Sequence, residues 1–201
     1  MTNVVDPDIV DLEPAAWRLA HLVGGVPDEL FGGATPCPAY TVGDLVEHIG
    51  GLSLAFAAAA RKTPIDTGAR GPAGDASRLD RSWRTRIPQD LTAMAEAWRD
   101  PAAWSGTTEA GGVQLPGEVA GLVALNELVI HGWDVARATG QAYQCDQPSL
   151  EAVHAFLGSF SLAGRDAQPD GPFGPAVEVP RQAPLLDRVV GLSGRRPAWA
   201  P

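Results

Sequence analysis

Apolar side chains recur at three- and four-residue steps over most of the chain, which is the period of helices with one buried face. The first stripe predicts a helix over about Asp8–Val23, which starts a few residues later because Pro14 suits a first turn best. Thr41 opens a second helix that runs to about Arg61, and Asp44 completes the pattern of a capping box.

Three further helices follow from the same periodicity. The third is expected over about Ser77–Arg99, where Pro88 should kink it or divide it in two. Pro116 can begin the fourth helix, because a first turn does not need its missing amide hydrogen. This helix runs to Ala138, and Gly140 closes it. The fifth covers about Ser149–Leu162.

The segments between the helices are rich in glycine, proline and small polar residues. Residues 63–77 predict a surface loop, and residues 104–115 predict a loop or a short hairpin. From residue 163 the chain predicts an extended, proline-rich tail with a last helical turn or two near Leu185–Leu192. The sequence therefore predicts one all-α domain over 1–201, with a four-helix bundle and an additional helix over about 8–162 and the tail over about 163–201.

Composition narrows the classes of partner. The hydrophobic fraction of 45% is typical of a globular chain, and the net charge of −9 disfavours nucleic acid and anionic membranes, which bind clustered Lys and Arg. We expect a cytoplasmic protein, since the N-terminus lacks a signal-peptide pattern and no apolar run approaches the length of a membrane span. Cys37 and Cys145 are expected to be free thiols, with Cys37 structural. A homodimer remains open.

The fourth helix carries the most informative residues. Glu127 is the one charged residue between Val119 and Ile130, and a lone carboxylate among apolar residues needs a compensating partner. His131 lies one turn further on the same helical face. Such a pair can hold a divalent metal ion, but it can also stabilise a helix without one, and the spacing leaves both interpretations open.

A third ligand would have to come from another helix. His48 is the best placed by pattern, because it shares a helical face with Leu45 and Leu52 and therefore borders the core. A packing or surface histidine is the alternative interpretation. His21 and His154 are less well placed.

Three segments resemble one protein family. Residues 34–51 (ATPCPAYTVGDLVEHIGG) and 126–141 (NELVIHGWDVARATGQ) are similar to two signatures of the mycothiol-dependent maleylpyruvate isomerase metal-binding family, within the DinB-like four-helix-bundle superfamily. Residues 173–199 resemble the C-terminal stretch of its small, single-domain actinobacterial branch. Tyr40 stands where the family commonly has Trp.

The resemblance implies three metal ligands, which map onto His48, Glu127 and His131. Zinc is the first expectation, with Ni²⁺ or Fe²⁺ as alternatives, and mycothiol is an implied co-substrate. The implied function is a transferase or isomerase that uses a low-molecular-weight thiol on a small electrophile. The characterised isomerase has a second, C-terminal domain that contributes to its active site, whereas this chain ends at residue 201, so the isomerase reaction itself is not assumed.

Two other functions stay open. The bundle and its metal ion can form a non-catalytic module that binds or senses a small thiol or metabolite. Two histidines and a carboxylate are also the ligand types of non-haem iron oxygenases, although those enzymes usually use β-scaffolds.

Charged residues near the fourth helix complete the candidate list. Asp134 can orient a metal ligand, or it can pair with Arg137 or Arg81 at the surface, and the surface pairing is favoured. The pair Arg195–Arg196 is expected to be solvated.

Overall fold

Helices dominate the computed structural model, which describes residues 9–63, 73–162 and 175–201. One two-stranded hairpin, β1 (Thr107–Ala110) with β2 (Val113–Pro116), is the sheet structure of these residues, so the all-α expectation is confirmed. The helices are α1 (Glu13–Gly24), α2 (Val42–Arg61), α3 (Trp83–Ala97), α4 (Pro101–Trp104), α5 (Gly117–Thr139), α6 (Gln147–Leu162) and α7 (Leu185–Leu192).

Four of the helices form the bundle. Helices α1 and α2 each pack against both α3 and α5, so the order around the bundle is α1, α3, α2, α5. Helix α6 packs on the outside of α5, and α7 packs on α6. The bundle core consists of large aliphatic side chains from all four helices. Burial of each such side chain stabilises the fold by about 1.5–3 kcal/mol. The most buried members of the core include Leu19, Leu45, Ile87, Leu91, Leu125 and Val129.

The predicted capping box fixes the start of α2. The Thr41 hydroxyl accepts a hydrogen bond from the Asp44 amide at 3.2 Å, and the Asp44 carboxylate accepts one from the Thr41 amide at 3.1 Å. The other Asp44 oxygen accepts from the Ala76 amide at 2.9 Å, which ties the segment before α3 to this helix end. This network fixes the first turn of α2, in which Asp44 lies one helical turn before His48.

The start of α5 is held by the hairpin and by close packing. Gly111 and Gly112 at the hairpin turn both have positive φ, +58° and +80°, as a two-residue type I′ turn requires. A Cβ at Gly121 would lie 2.6 Å from the Trp104 ring, so this position needs glycine to pack α4 against α5. The helix ends, as predicted, at Gly140, whose φ is +70°.

Helix α3 differs from its prediction. It begins at Trp83, not Ser77, because Asp75 and Asp80 accept hydrogen bonds from the backbone amides two residues on and hold local turns. The later start places Pro88 in the second turn, and the helix continues through it. Of the two predicted effects of Pro88, division of the helix is therefore wrong, while the kink stays a prediction.

The predicted loop before α3 and the predicted tail can be compared with the structure only in part. Residues 163–174 of the predicted tail and most of the predicted loop over 63–77 lie outside the described residues, whereas the predicted last helix of the tail is confirmed as α7. By length and composition α2 and α5 could each cross a membrane, but 67% and 78% of their most apolar windows are buried inside the protein, as in core helices of globular proteins.

Candidate metal centre

Three side chains of metal-ligating type converge between α2 and α5. His48 on α2 meets Glu127 and His131, which lie one turn apart on α5, and one ligand atom from each lies within 4.8 Å of the other two. Nε2 of His131 lies 2.9 Å from Oε2 of Glu127, and Nε2 of His48 lies 4.0 Å from the same oxygen. The structure therefore brings together the residues that the sequence singled out, while metal binding by them stays a prediction.

The burial of the cluster is uneven. His48 and His131 are buried, with 8% and 5% of their surface exposed, whereas the Glu127 side chain is 21% exposed. The sequence suggested a carboxylate enclosed by apolar residues, whereas in the structure part of the Glu127 side chain contacts solvent. The cluster is therefore most exposed on its Glu127 side.

The cluster fits a divalent ion. Four-coordinate zinc with bonds of about 2.0–2.2 Å holds neighbouring ligand atoms roughly 3.4 Å apart. The observed separations, from 2.9 Å to at most 4.8 Å, bracket this value, so shifts of about an ångström in the side chains would suffice. Two imidazole nitrogens and one carboxylate oxygen also form a donor set that catalytic zinc sites use.

The orientation of His131 is set by a buried carboxylate. Nδ1 of His131 lies 3.0 Å from Oδ2 of Asp134, one turn further along α5, and this leaves Nε2 directed at Glu127. In metalloproteins such a partner fixes the tautomer and the ring plane of a ligating histidine. The favoured expectation that Asp134 pairs at the surface is wrong, because its side chain is 0% exposed and packs inside the bundle.

Arg195 supplies the countercharge to Asp134. Its guanidinium donates to the two Asp134 oxygens at 3.0 Å and 3.4 Å, and its side chain is 14% exposed. The expectation that both arginines of the pair are solvated is therefore wrong for Arg195, whereas Arg196 is exposed. Sequence reasoning missed this contact because 61 residues separate the two partners.

The charges of the cluster oppose the effect of burial. Burial alone would raise the pKa of Glu127, but the hydrogen bond from His131 and the charges of His131, His48 and Arg195 hold it below its usual range. Burial alone would lower the pKa of His131, but its bonds to Asp134 and Glu127 and their charges raise it to about 9. In the metal-free state these shifts place the proton of the Glu127–His131 pair on His131, and a metal ion would displace it.

Two loops cover His48. The Tyr40 ring packs against the His48 ring with centroids 5.0 Å apart, and the His48 and His131 rings meet edge to face at the same separation. A Cβ at Gly74 would lie 2.1 Å from the carbonyl oxygen of Asp44, so only glycine lets this segment lie so close to α2. These contacts cover part of the His48 side chain and limit the movement of its ring.

The remaining candidates lie elsewhere or play other roles. His21 is an exposed residue of α1 that stacks on Trp17, and His154 lies on α6; the cluster includes neither. Both cysteines are free and half-buried; burial raises the pKa of the Cys37 thiol, and it raises that of Cys145 to about 12. A groove of about 350 Å³ beside Cys145 shares no residue with the cluster.

The chain matches a family model over a span that contains the whole cluster. Residues 12–136 match the mycothiol maleylpyruvate isomerase N-terminal domain. Two uncharacterized proteins of Mycobacterium tuberculosis, from strains CDC 1551 / Oshkosh and ATCC 25618 / H37Rv, are each 32% identical to it over 179 residues, which is 88% of this chain and 91% of the relative.

A solved structure shares the fold. The crystal structure of the mycothiol-dependent maleylpyruvate isomerase matches with a TM-score of 0.53 and 16% identity, over 73% of this chain and 66% of that chain. At this identity the likeness concerns the fold alone, and it agrees with the helical bundle expected from the sequence.

Proposed function

The chain belongs to the mycothiol maleylpyruvate isomerase N-terminal domain family, and on that premise we propose that it is a metal-dependent enzyme of thiol chemistry. In this proposal His48, Glu127 and His131 bind one divalent ion, zinc in the first place, and the protein joins a low-molecular-weight thiol such as mycothiol to a small electrophile. The convergence of the three side chains, with Asp134 behind His131, carries the proposal.

The number of ligands supports catalysis over a purely structural role. Structural zinc sites are closed by four protein ligands, whereas catalytic sites use three and leave one position open. The described residues bring three such side chains together, and the exposed part of Glu127 marks the side from which a fourth ligand can enter. A metal ion bound there would act as a Lewis acid and lower the pKa of a thiol bound to it.

The charge of the cluster favours an anionic fourth ligand. Once a metal ion has displaced the proton of His131, Glu127 and Asp134 each contribute one negative charge and Arg195 one positive charge, so the protein groups carry a single negative charge in a largely buried region. The divalent ion changes this to a single positive charge. Buried charge is costly unless it is balanced, and a thiolate balances it whereas a neutral ligand does not.

The proposed reaction conserves atoms without a redox partner. The thiol sulfur forms a new bond to an electrophilic carbon of the substrate. In an addition the thiol proton ends on the neighbouring carbon. In a displacement the leaving group departs with the electron pair of its bond, and the thiol proton passes to solvent. An isomerisation needs the addition followed by elimination of the same thiol. The chain's own residues hold the reacting groups together and exclude water on the His48 side.

Thiol consumption tests this function. Tag-free protein, stripped with chelator and reloaded with one equivalent of zinc, is mixed with mycothiol and monochlorobimane, and the fluorescent thioether is followed. We expect the zinc-loaded protein to accelerate thioether formation over the stripped protein, and His131→Ala to remove the acceleration. His21→Ala, which changes an exposed histidine outside the cluster, should keep it.

The alternative outcomes are distinct. If thiol binds in a zinc-dependent way but no electrophile of a broad panel is consumed, the non-catalytic binding or sensing module replaces the enzyme. If the tag-free protein binds no transition metal, both functions fail. Metal analysis of the same preparation separates zinc from nickel and iron.

The same proposal covers location and partners. We propose a cytoplasmic protein that acts on small molecules without a nucleic-acid or membrane partner. The net charge of −9 and the burial of the two long apolar helices inside the bundle support this.

A further inference from the structure

We propose that Arg195, in the tail after α7, is a positioning residue of the metal centre. It fixes the Asp134 carboxylate, Asp134 fixes the imidazole of His131, and the tail thereby sets the affinity of the site for its metal ion. This inference rests on the metal site of the proposed function, but it concerns binding and not turnover.

The contact geometry makes Asp134 the link. Its Oδ2 atom lies 3.0 Å from Nδ1 of His131 and also accepts from a terminal nitrogen of Arg195 at 3.0 Å. The Nε of Arg195 approaches the second oxygen at 3.4 Å. A planar guanidinium that faces both oxygens restrains rotation of the carboxylate, which a point charge cannot do. The plane of the carboxylate in turn determines where the His131 ring can point.

Burial gives this link its strength. The Asp134 side chain is 0% exposed and that of Arg195 is 14% exposed, so water cannot replace either partner fully. Removal of one partner from a buried pair leaves an uncompensated charge. Asp134 would then have to shift towards another donor, and His131 is the donor beside it.

The position of Arg195 is itself held by the end of α7. Gly194 turns the chain with φ +82°, the Arg195 amide donates to the carbonyl of Val190 at 3.1 Å, and its guanidinium donates to the carbonyl of Ser193 at 3.0 Å. Further along the tail, the Trp199 carbonyl accepts from Arg137, which lies three residues after Asp134 on α5. The tail therefore docks on the same face of α5 at two points.

Zinc affinity of tag-free protein, measured by competition with a chelator of known affinity, tests this role. We expect Arg195→Met to bind zinc more weakly, by less than the 10–100-fold typical of removing a group that bonds a ligating histidine directly, because Arg195 acts through Asp134 and its removal also takes a positive charge away from the cation site. The absorption bands of the Co²⁺-substituted protein should also change, because they report ligand geometry. Arg196→Met is the matched control, since its exposed neighbouring side chain should leave the affinity and the cobalt spectrum unchanged.

A second variant guards against misfolding. Arg195→Lys keeps the charge but can contact only one Asp134 oxygen, so we expect an intermediate affinity and a smaller spectral change. A double-mutant cycle with Asp134→Asn separates positioning from general packing, because Arg195→Met should cost no further affinity once Asp134 is replaced.

The outcomes separate this inference from the proposed function. Wild-type zinc affinity and an unchanged cobalt spectrum in both Arg195 variants overturn the inference while the enzyme proposal stands. Weakened binding in those variants supports it even if wild-type protein turns over no thiol. A wild-type protein that binds no metal ion overturns both.

Discussion

Replacement of Asp134 by Asn tests the buried charge network before any metal is added. Asn keeps the size of the side chain but removes its charge, which leaves the largely buried Arg195 guanidinium without a countercharge. Its amide can also donate where His131 needs an acceptor.

The expected magnitude follows from burial. Removal of one partner from a buried ion pair costs about 3–5 kcal/mol, whereas an exposed pair contributes about 0–1 kcal/mol. The structure offers an exposed control in Asp28, which contacts Arg84 at 2.7 Å although 84% of its side chain is exposed. We therefore expect Asp134→Asn to lower the free energy of unfolding by about 3–5 kcal/mol and Asp28→Asn to lower it by less than about 1 kcal/mol.

Urea denaturation of chelator-treated protein, followed by the fluorescence of its six tryptophans, measures the difference. Urea is preferable to guanidinium chloride because it is uncharged and does not screen ion pairs. With a slope of about 2 kcal/mol per M, the expected loss lowers the midpoint by roughly 2 M. The double variant Asp134→Asn/Arg195→Met removes both charges and should recover part of the loss. A loss for Asp134→Asn no larger than that for Asp28→Asn would refute the buried network.

Three further predictions concern packing, pH and metal binding. Gly51→Ala should raise the free energy of unfolding by about 0.5–1 kcal/mol, because the added Cβ would meet nothing within 4 Å at this exposed helical position. In the same urea assay Gly121→Ala should lower it by about 1–3 kcal/mol, because the added Cβ would overlap the Trp104 ring. Hydrogen bonds from Thr41 and Ala76 lower the pKa of Asp44 below its ordinary 3.8, so the stabilisation of the fold by its carboxylate is present above that pH and is lost as the pH falls. The difference in free energy of unfolding between wild type and Asp44→Asn should therefore narrow in acid. A difference that widens would contradict the capping role. Zinc at 100 times its dissociation constant should stabilise wild type by about 2.7 kcal/mol in thermal unfolding but should not stabilise His48→Ala, whereas equal shifts would place the ion elsewhere.

Local patterns predicted much of the fold. The capping box at Thr41 and the glycine stop at Gly140 are confirmed, since each depends on residues within one helical turn. The predicted start of α3 was wrong because the turn-forming hydrogen bonds of Asp75 and Asp80 compete with a helix, and the spacing of apolar residues gives no information about such bonds.

The candidate site was predictable in part. Helical spacing alone pairs Glu127 with His131, because residues four apart share a face. Residue pattern only suggested His48, and the family resemblance selected it, because the α2–α5 packing that brings it near depends on the whole core. The Asp134–Arg195 pair gave no local signal, since Arg195 arrives from the tail after α7.

Diffraction from crystals of the tag-free, zinc-loaded protein, recorded on both sides of the zinc absorption edge, tests the metal centre most directly. We expect one anomalous peak per chain, about 2.0–2.2 Å from a nitrogen of His48, an oxygen of Glu127 and Nε2 of His131. The Asp134 carboxylate should remain on Nδ1 of His131. A peak bonded to other residues, or no peak in a chain where these three side chains converge as described, would contradict the assignment.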